Sequence, residues 1–299
     1  MNRISAPSAV IPSHKIADIE VLRAVAILYV ILHHANGNLF KKDQFLGGFF
    51  QDYFGGWVGV DLFFAISGFV IARTLIPVLS RSGSGQDFRR ETLRFWGKRA
   101  LRLLPSAWLW LFIILVLVVG FNESGVFGDL RSNLWATLAG MFNFANVRFA
   151  DAFFQYPYGA SFVYWSLSLE EQFYILLPLL FFLTRRYMWV VLLVLVLWKL
   201  PQMRGIWGMA FRADAISLGV LVALFSQQPI YARMRLNERG LLRFAAVAAL
   251  VFFLVLLPFI GVQDQMVLTW QIGVLAILSG LSVLLASINS NLLAGFPGS

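Results

Sequence analysis

Long apolar runs separated by short polar or basic stretches dominate the chain. Several runs approach or exceed the roughly 20 apolar residues that a helix needs to cross a bilayer. The ten-residue alternation typical of membrane β-barrels is not evident. The pattern therefore predicts an all-α, polytopic transmembrane helix bundle. The clearest runs cover residues 105–120, 165–183, 209–225, 244–260 and 267–285.

Basic residues between the runs predict the orientation. They concentrate in residues 81–102, at Arg185 and Arg186, and in residues 233–243. Such stretches face the cytoplasm under the positive-inside rule. We therefore place residues 78–103 in a cytoplasmic loop and expect both termini in the cytoplasm. The predicted spans cover residues 18–37, 57–77, 104–121, 163–184, 187–202, 208–226, 244–261 and 267–288.

One further apolar segment, residues 134–149, is shorter and carries Asn143, Asn146 and Arg148. We interpret it as a re-entrant or interfacial segment enclosed by protein. The predicted domain organisation is a cytoplasmic N-terminal segment at residues 1–17, a transmembrane domain at residues 18–288 and a tail at residues 289–299.

Composition agrees with an integral membrane protein. Of the 299 residues, 59% are hydrophobic and only 13% are charged, and the mean hydropathy is +0.75. The net charge of +9 has a topological explanation, so we expect no nucleic-acid partner. The chain contains no cysteine, which rules out disulfides and thiolate metal ligands. The absence of a Walker loop, a dinucleotide fingerprint and a Gly-x-Ser-x-Gly elbow disfavours ATPase, dehydrogenase and serine-hydrolase functions. Without a zinc motif we also expect no metal.

Two ionisable residues share one face of the first predicted span. His34 follows Arg23 by 11 residues, an offset that closes three helical turns to within about 20° and separates the two by roughly 16 Å along the axis. Ionisable side chains inside membrane spans usually line a polar path or a site. We therefore expect Arg23 and His34 to be functional.

Other polar residues separate by depth. Arg23, Arg99 and Arg102 fall towards the cytoplasm, where three guanidinium groups would suit a phosphate-rich ligand. Alternatively, Arg99 and Arg102 only anchor a helix end at lipid phosphates. Towards the outside, Asp61 or Glu170 could orient His34 as a general base. The alternative is a hydrogen-bonded structural imidazole.

Two pairs of polar residues have both a structural and a functional interpretation. Ser166 and Glu170 share a helix face, but Ser166 could instead cap the helix. Arg212 and Asp214 could form a self-neutralising structural pair.

Together, the short sequence motifs around these residues resemble those of the acyltransferase 3 family of membrane-bound O-acyltransferases. The resemblance covers roughly residues 16–225. It rests on Arg23-x10-His34, Gly59-Val60-Asp61-Leu62-Phe63-Phe64 with Ser67-Gly68-Phe69, Arg99-x-x-Arg102 with Leu104-Pro105, Trp165 through Tyr174 with Pro178, and Phe211-Arg212-Ala213-Asp214 with Gly219.

The resemblance implies transfer of an acetyl or other short acyl group, from cytoplasmic acyl-CoA such as acetyl-CoA, to a hydroxyl of an extracytoplasmic carbohydrate or glycolipid. Arg23, Arg99 and Arg102 would then bind CoA phosphates, and His34 would be the base. Glu170 and Asp61 complete the expected catalytic group. We expect the substrate-binding residues to be Trp165, Ser166, Arg212 and Asp214.

The resemblance also implies a multi-pass protein of the bacterial inner membrane, in contact with lipids. Family members typically have about ten spans, whereas hydropathy supports about eight here, so we expect the C-terminal helices to be missing. An SGNH-type or glycan-assembly partner would be a separate chain. The alternative functions are a transporter or flippase for an acylated or lipid-linked sugar, and a polymer-export partner of a glycan synthase.

Overall fold

A computed structural model describes residues 16–35, 45–202, 204–234, 240–262, 270–288 and 292. The predicted N-terminal segment and C-terminal tail therefore lie almost wholly outside the described residues. Within these ranges the chain is helical and contains no strand, which confirms the all-α prediction. The helices are α1 Ala17–Ala35, α2 Phe45–Tyr53, α3 Gly59–Ser80, α4 Gly85–Gly120, α5 Leu130–Met141, α6 Ala145–Ala152, α7 Tyr164–Thr184, α8 Met188–Lys199, α9 Ile206–Ala210, α10 Asp214–Phe225, α11 Pro229–Arg233, α12 Leu241–Ile260 and α13 Gln271–Ile288.

Six segments among the described residues are long and apolar enough to cross a membrane. One of them, Tyr164–Lys199, contains both α7 and α8, which meet at Arg185 with a φ of 48°. The remaining predicted span corresponds to α1, whose 19 residues include Asp18, Glu20 and Arg23. The chain is a multi-pass membrane protein. The six segments are Gly56–Ser80, Gly85–Gly120, Tyr164–Lys199, Ile206–Phe225, Leu241–Ile260 and Gln271–Ile288.

The centre of the bundle is the crossing of α3 and α10. A Cβ atom at Gly219 would collide with the carbonyl oxygen of Ala65, and one at Gly68 with the carbonyl oxygen of Ile216. The two glycines therefore let the backbones approach more closely than any side chain would allow. Around the crossing, the buried core takes side chains from α1, α7, α12 and α13.

Most of the connection at residues 78–103, which we predict to be cytoplasmic, is helical in the structure. The helix α4 starts at Gly85 and continues without a break through the apolar run to Gly120. Ser84 caps it by accepting a hydrogen bond from the backbone N–H of Asp87. At about 1.5 Å per residue the 36 residues extend roughly 54 Å, well beyond a hydrocarbon core of about 30 Å.

Two segments that the sequence predicts as single helices each consist of two helices in the structure. Residues 134–149 form the end of α5 and most of α6, because Asn143 adopts a left-handed φ of 57° between them. The predicted span at residues 208–226 consists of the short α9 and the longer α10, with residues 211–213 between them.

Basic side chains concentrate at one end of the bundle. Phe88 near the start of α4 stacks on Phe181 near the end of α7, and the guanidinium of Arg185 lies over both rings. The positive-inside rule makes this the cytoplasmic end. The opposite end holds the start of α7, the end of α1 and the start of α10.

Candidate functional site

The helices α1 and α7 run antiparallel and carry the polar residues of two separate clusters. At one end the ring of His34 packs edge-to-face on Phe162, just before α7, with centroids 5.4 Å apart. At the other end Arg23 lies within electrostatic range of Glu170. Arg23 and His34 lie about 16 Å apart along α1. Their neighbours Glu170 and Phe162 are separated in the same direction along α7.

His34 is exposed near the outer end of α1, where its ring contacts at least two aromatic rings among the described residues. Besides Phe162, the ring of His33 lies 5.3 Å away, also edge-to-face. The neighbouring His33 is partly buried and touches the position where Gly56 would carry a Cβ atom. Of the two imidazoles, His34 is therefore the one accessible to a substrate.

At the same end of the bundle lies a buried ion-pair cluster formed by Asp61, Arg204, Arg212 and Asp214. Arg212 is 1% exposed, and its Nη2 atom lies 3.0 Å from Oδ2 of Asp61. Asp214 pairs with Arg204 instead. The expected self-neutralising pair of Arg212 and Asp214 is thus wrong in its partners, because each residue binds a charge from another part of the chain.

The guanidinium of Arg212 lies between two indole rings. Its Cζ atom is 5.1 Å from the ring centroid of Trp57 and 5.0 Å from that of Trp165. Ring faces attract cations, most strongly where water is excluded. Nη2 of Arg212 faces the Asp61 carboxylate, whereas Nε and Nη1 have no hydrogen-bond acceptor in the described part of the chain. Arg212 therefore keeps donor capacity for a polar ligand.

Sequence reasoning missed Arg204 as a site residue. Its side chain is almost fully buried and also donates to the carbonyl oxygen of Lys199, at the end of α8. The signal in the sequence is a lone arginine between the apolar runs at residues 187–202 and 208–226.

Deeper in the bundle, the Glu170 cluster consists of Arg23, Ser67, Arg99, Glu170 and Tyr174. The hydroxyl of Tyr174 donates to the carboxylate of Glu170, and Ser67 lies beside both. The guanidinium of Arg99 lies 5.0 Å from the Tyr174 ring centroid. This cluster gathers residues from α1, α3, α4 and α7.

The expected grouping of Glu170 and Asp61 around His34 differs from the structure. Glu170 lies five residues beyond Trp165, about 7.5 Å deeper along α7, and shares the depth of Arg23 and Arg99. Asp61 pairs with Arg212. Glu170 is away from His34 because it lies deeper along α7. Asp61 pairs with Arg212 because a permanent cation attracts a buried carboxylate more strongly than an imidazole does.

The three predicted phosphate-binding arginines are only partly brought together. Arg23 and Arg99 both lie within electrostatic range of Glu170. Arg23 also forms a part-exposed ion pair with Glu20 at 2.8 Å. Arg102 is exposed on α4, three residues beyond Arg99.

Ser166 neither caps α7 nor bonds to Glu170. Its hydroxyl donates to the carbonyl oxygen of Val163 at 3.2 Å. Next to Glu170, Glu171 is 7% exposed, and its Oε1 atom has no hydrogen-bond donor among the described residues. Among the buried acids of α7, Glu171 is therefore the one with an oxygen that lacks a donor in the described part of the chain.

The polar residues of α6 hold the start of α7 in place. The side-chain amides of Asn146 and Gln172 exchange two hydrogen bonds, at 2.8 and 3.1 Å. Arg148 donates to the carbonyl oxygens of Ser132 and Tyr158. Burial raises the pKa of the Tyr158 phenol, so this side chain stays neutral beside the arginine. This segment fixes Phe162 and Trp165 relative to the rest of the bundle.

Comparison with known proteins shows which family this sequence is similar to. The family described as an acyltransferase domain matches residues 16–293. YrhL of Bacillus subtilis, a candidate peptidoglycan O-acetyltransferase, is 35% identical over 167 residues, which are 55% of this chain and 23% of YrhL. The peptidoglycan O-acetyltransferase OatA of Listeria monocytogenes is 30% identical over 166 residues, or 54% of this chain and 24% of OatA.

The O-acetyltransferase OatA of Staphylococcus aureus is 29% identical over 208 residues, which are 68% of this chain and 28% of that protein. The chain thus spans about a quarter of the length of these curated relatives. No solved structure matches the chain significantly. Because the family match covers nearly the whole chain, including both clusters of buried polar residues, the chain belongs to the acyltransferase 3 family.

Proposed function

We propose that the chain is the membrane domain of an O-acetyltransferase that modifies a carbohydrate of the bacterial cell envelope. The observation that carries the proposal is the separation of two polar sites along α1 and α7. Arg23 and Arg99 lie at one depth with Glu170, and His34 lies near the outer end beside Phe162. The relatives' names support an acetyl group and a peptidoglycan-like acceptor.

The arginines in and beside the Glu170 cluster would bind the donor, acyl-CoA. Arg23, Arg99 and Arg102 supply permanent positive charge and forked donors that suit the phosphates of this molecule. The pantetheine arm would then carry the thioester along the bundle towards His34.

His34 would act as the general base. Its imidazole would take the proton of the acceptor hydroxyl while the oxygen attacks the thioester carbonyl. The C–S bond breaks, an ester C–O bond forms, and the thiolate of CoA takes up the proton that His34 had accepted. Trp57 precedes α3 and Trp165 stands at the start of α7, both at the outer end of the bundle, so these rings and the Nε and Nη1 donors of Arg212 would bind the carbohydrate.

Replacing the base tests this function. In a strain that lacks its own copy, His34→Ala should reduce acetyl esters on the envelope glycan by at least about 100-fold, since general-base catalysis is worth that much or more. Mass spectrometry of the glycan measures the esters. Acyl-CoA binding by the purified variant should be unchanged, because Arg23 lies about 16 Å away along α1, and Arg99 and Arg102 lie on a different helix.

The matched control is His33→Gln, which alters the neighbouring imidazole and should leave most ester formation intact at equal protein level. Normal esters in His34→Ala would refute the proposed base. Loss of glycan export with an unchanged ester content per exported chain would instead favour a transporter.

A further inference from the structure

We propose that the cytoplasmic end of the bundle contains a binding site for an anionic phospholipid. The site is a cavity of about 840 Å³ between the ends of α3, α7 and α10 and the start of α8. Its size falls within the range of about 300–1,000 Å³ that small-molecule sites occupy. It is separate from both polar clusters described above.

The rim of the cavity is polar and positively charged. Arg185 and Arg186 supply the charge, and Ser80, Gln227 and Gln228 supply hydroxyl and amide groups. All five residues are exposed. Guanidinium groups bind phosphate oxygens through paired donors, and amides can bind the glycerol hydroxyls of a headgroup.

Neither rim arginine is neutralised by a carboxylate in the part of the chain that the structure describes. The ion pairs recorded there involve other residues. Arg185 is held instead by the rings of Phe88, Phe181 and Phe182, at 5.5 to 5.9 Å. Arg186 donates to the hydroxyl of Tyr187 at 2.7 Å. Both charges are therefore positioned without being cancelled.

The deeper wall of the cavity is apolar. Ile76, Phe181 and Met188 are almost fully buried, and Leu221 and Leu224 are partly buried. Polarity thus changes from charged at the rim to apolar inside, as it does along a phospholipid from its phosphate to its acyl chains. Basic pockets between membrane helices on the cytoplasmic side commonly bind anionic headgroups.

A competition between lipids tests the site. The purified full-length chain is equilibrated with phosphatidylglycerol and phosphatidylcholine of identical acyl chains, and bound lipid is counted by native mass spectrometry. The wild-type protein should retain phosphatidylglycerol with a preference of about tenfold, because two arginines attract the net negative charge. Arg185→Gln with Arg186→Gln should abolish the preference.

The matched control removes two exposed arginines of α4 that do not line the cavity, through Arg89→Gln with Arg94→Gln, and should keep the preference. A second variant, Leu224→Trp, fills the apolar wall and should lower retention of phosphatidylglycerol while both arginines remain. Thermal unfolding in phosphatidylcholine micelles checks that each variant is folded.

Inorganic phosphate and CoA distinguish a lipid site from a general phosphate site. Neither compound at millimolar concentration should displace the retained lipid, because neither fills the apolar wall. Displacement by either one, equal retention of the two lipids by the wild-type protein, or loss of the preference in the α4 control would each overturn the proposal.

Discussion

At the residue scale, Arg212 shows how this chain keeps a cation inside a membrane. Its charge is balanced by Asp61 at 3.0 Å and faced by the rings of Trp57 and Trp165. A buried ion pair is costly to desolvate, so removing one partner does more harm than replacing both with apolar groups. The free energy of unfolding should therefore respond differently when only Asp61 is replaced and when Asp61 and Arg212 are replaced together.

Asp61→Leu should lower the free energy of unfolding by about 3–5 kcal/mol, since it leaves Arg212 buried without its counter-ion. The double variant Asp61→Leu with Arg212→Met should recover much of this loss. Thermal and denaturant unfolding in detergent measure both changes.

The control breaks an exposed ion pair: Arg90→Gln separates Arg90 from Asp87 and should change stability by less than about 1 kcal/mol. A double variant as unstable as Asp61→Leu alone would show that Arg212 does not depend on this carboxylate.

At the element scale, the crossing of α3 and α10 decides where the charged residues meet. Gly68 and Gly219 bring the two backbones into contact, and Asp61 and Arg212 lie near the starts of the same two helices. Close approach of the helices and pairing of the charges are therefore two parts of one interface. A change that separates the helices should weaken both.

Gly219→Ala should destabilise the bundle by about 1–3 kcal/mol, because the added methyl group would collide with the backbone of α3. The control is Gly97→Ala in α4, where a Cβ atom meets nothing within 4 Å. There alanine should be neutral or stabilising by up to about 1 kcal/mol. Unfolding curves recorded under identical detergent conditions compare the two, and equal effects would contradict the close-packing argument.

On the scale of the whole molecule, the bundle has two chemically different ends. The end formed by Phe88, Phe181 and Arg185 carries the basic residues. The other end carries His34 and the buried ion-pair cluster. The proposed transfer of an acyl group from cytoplasm to envelope requires this polarity across the membrane.

Cysteine labelling can test the orientation, because the sequence contains no cysteine of its own. Ser124→Cys, between α4 and α5, should react with a membrane-impermeant maleimide in intact cells. Gly83→Cys, between α3 and α4, should react only after permeabilisation. Both positions are exposed, so accessibility to the reagent depends on the membrane side alone. The reverse pattern would invert the orientation and with it the proposed donor side.

Hydrophobic patterning was sufficient to predict most helices of this fold. The predicted span at residues 163–184 agrees with α7, Tyr164–Thr184, and residues 244–261 agree with α12, Leu241–Ile260. Breaks inside apolar runs were harder to predict. The left-handed turn at Asn143 depends on a single residue whose neighbours are as apolar as a helix interior.

By itself, the sequence determined the class of protein, the approximate position of most of its apolar helices, the family, and the residue types from which a site could be built. Hydropathy and charge act locally, so they can be read along the chain. Only the tertiary structure decided the partners: Asp61 with Arg212, Asp214 with Arg204, and Glu170 with the arginines rather than with His34. The physical reason is that a buried charge binds whichever opposite charge helix packing brings nearest, and packing joins residues that lie far apart in the sequence.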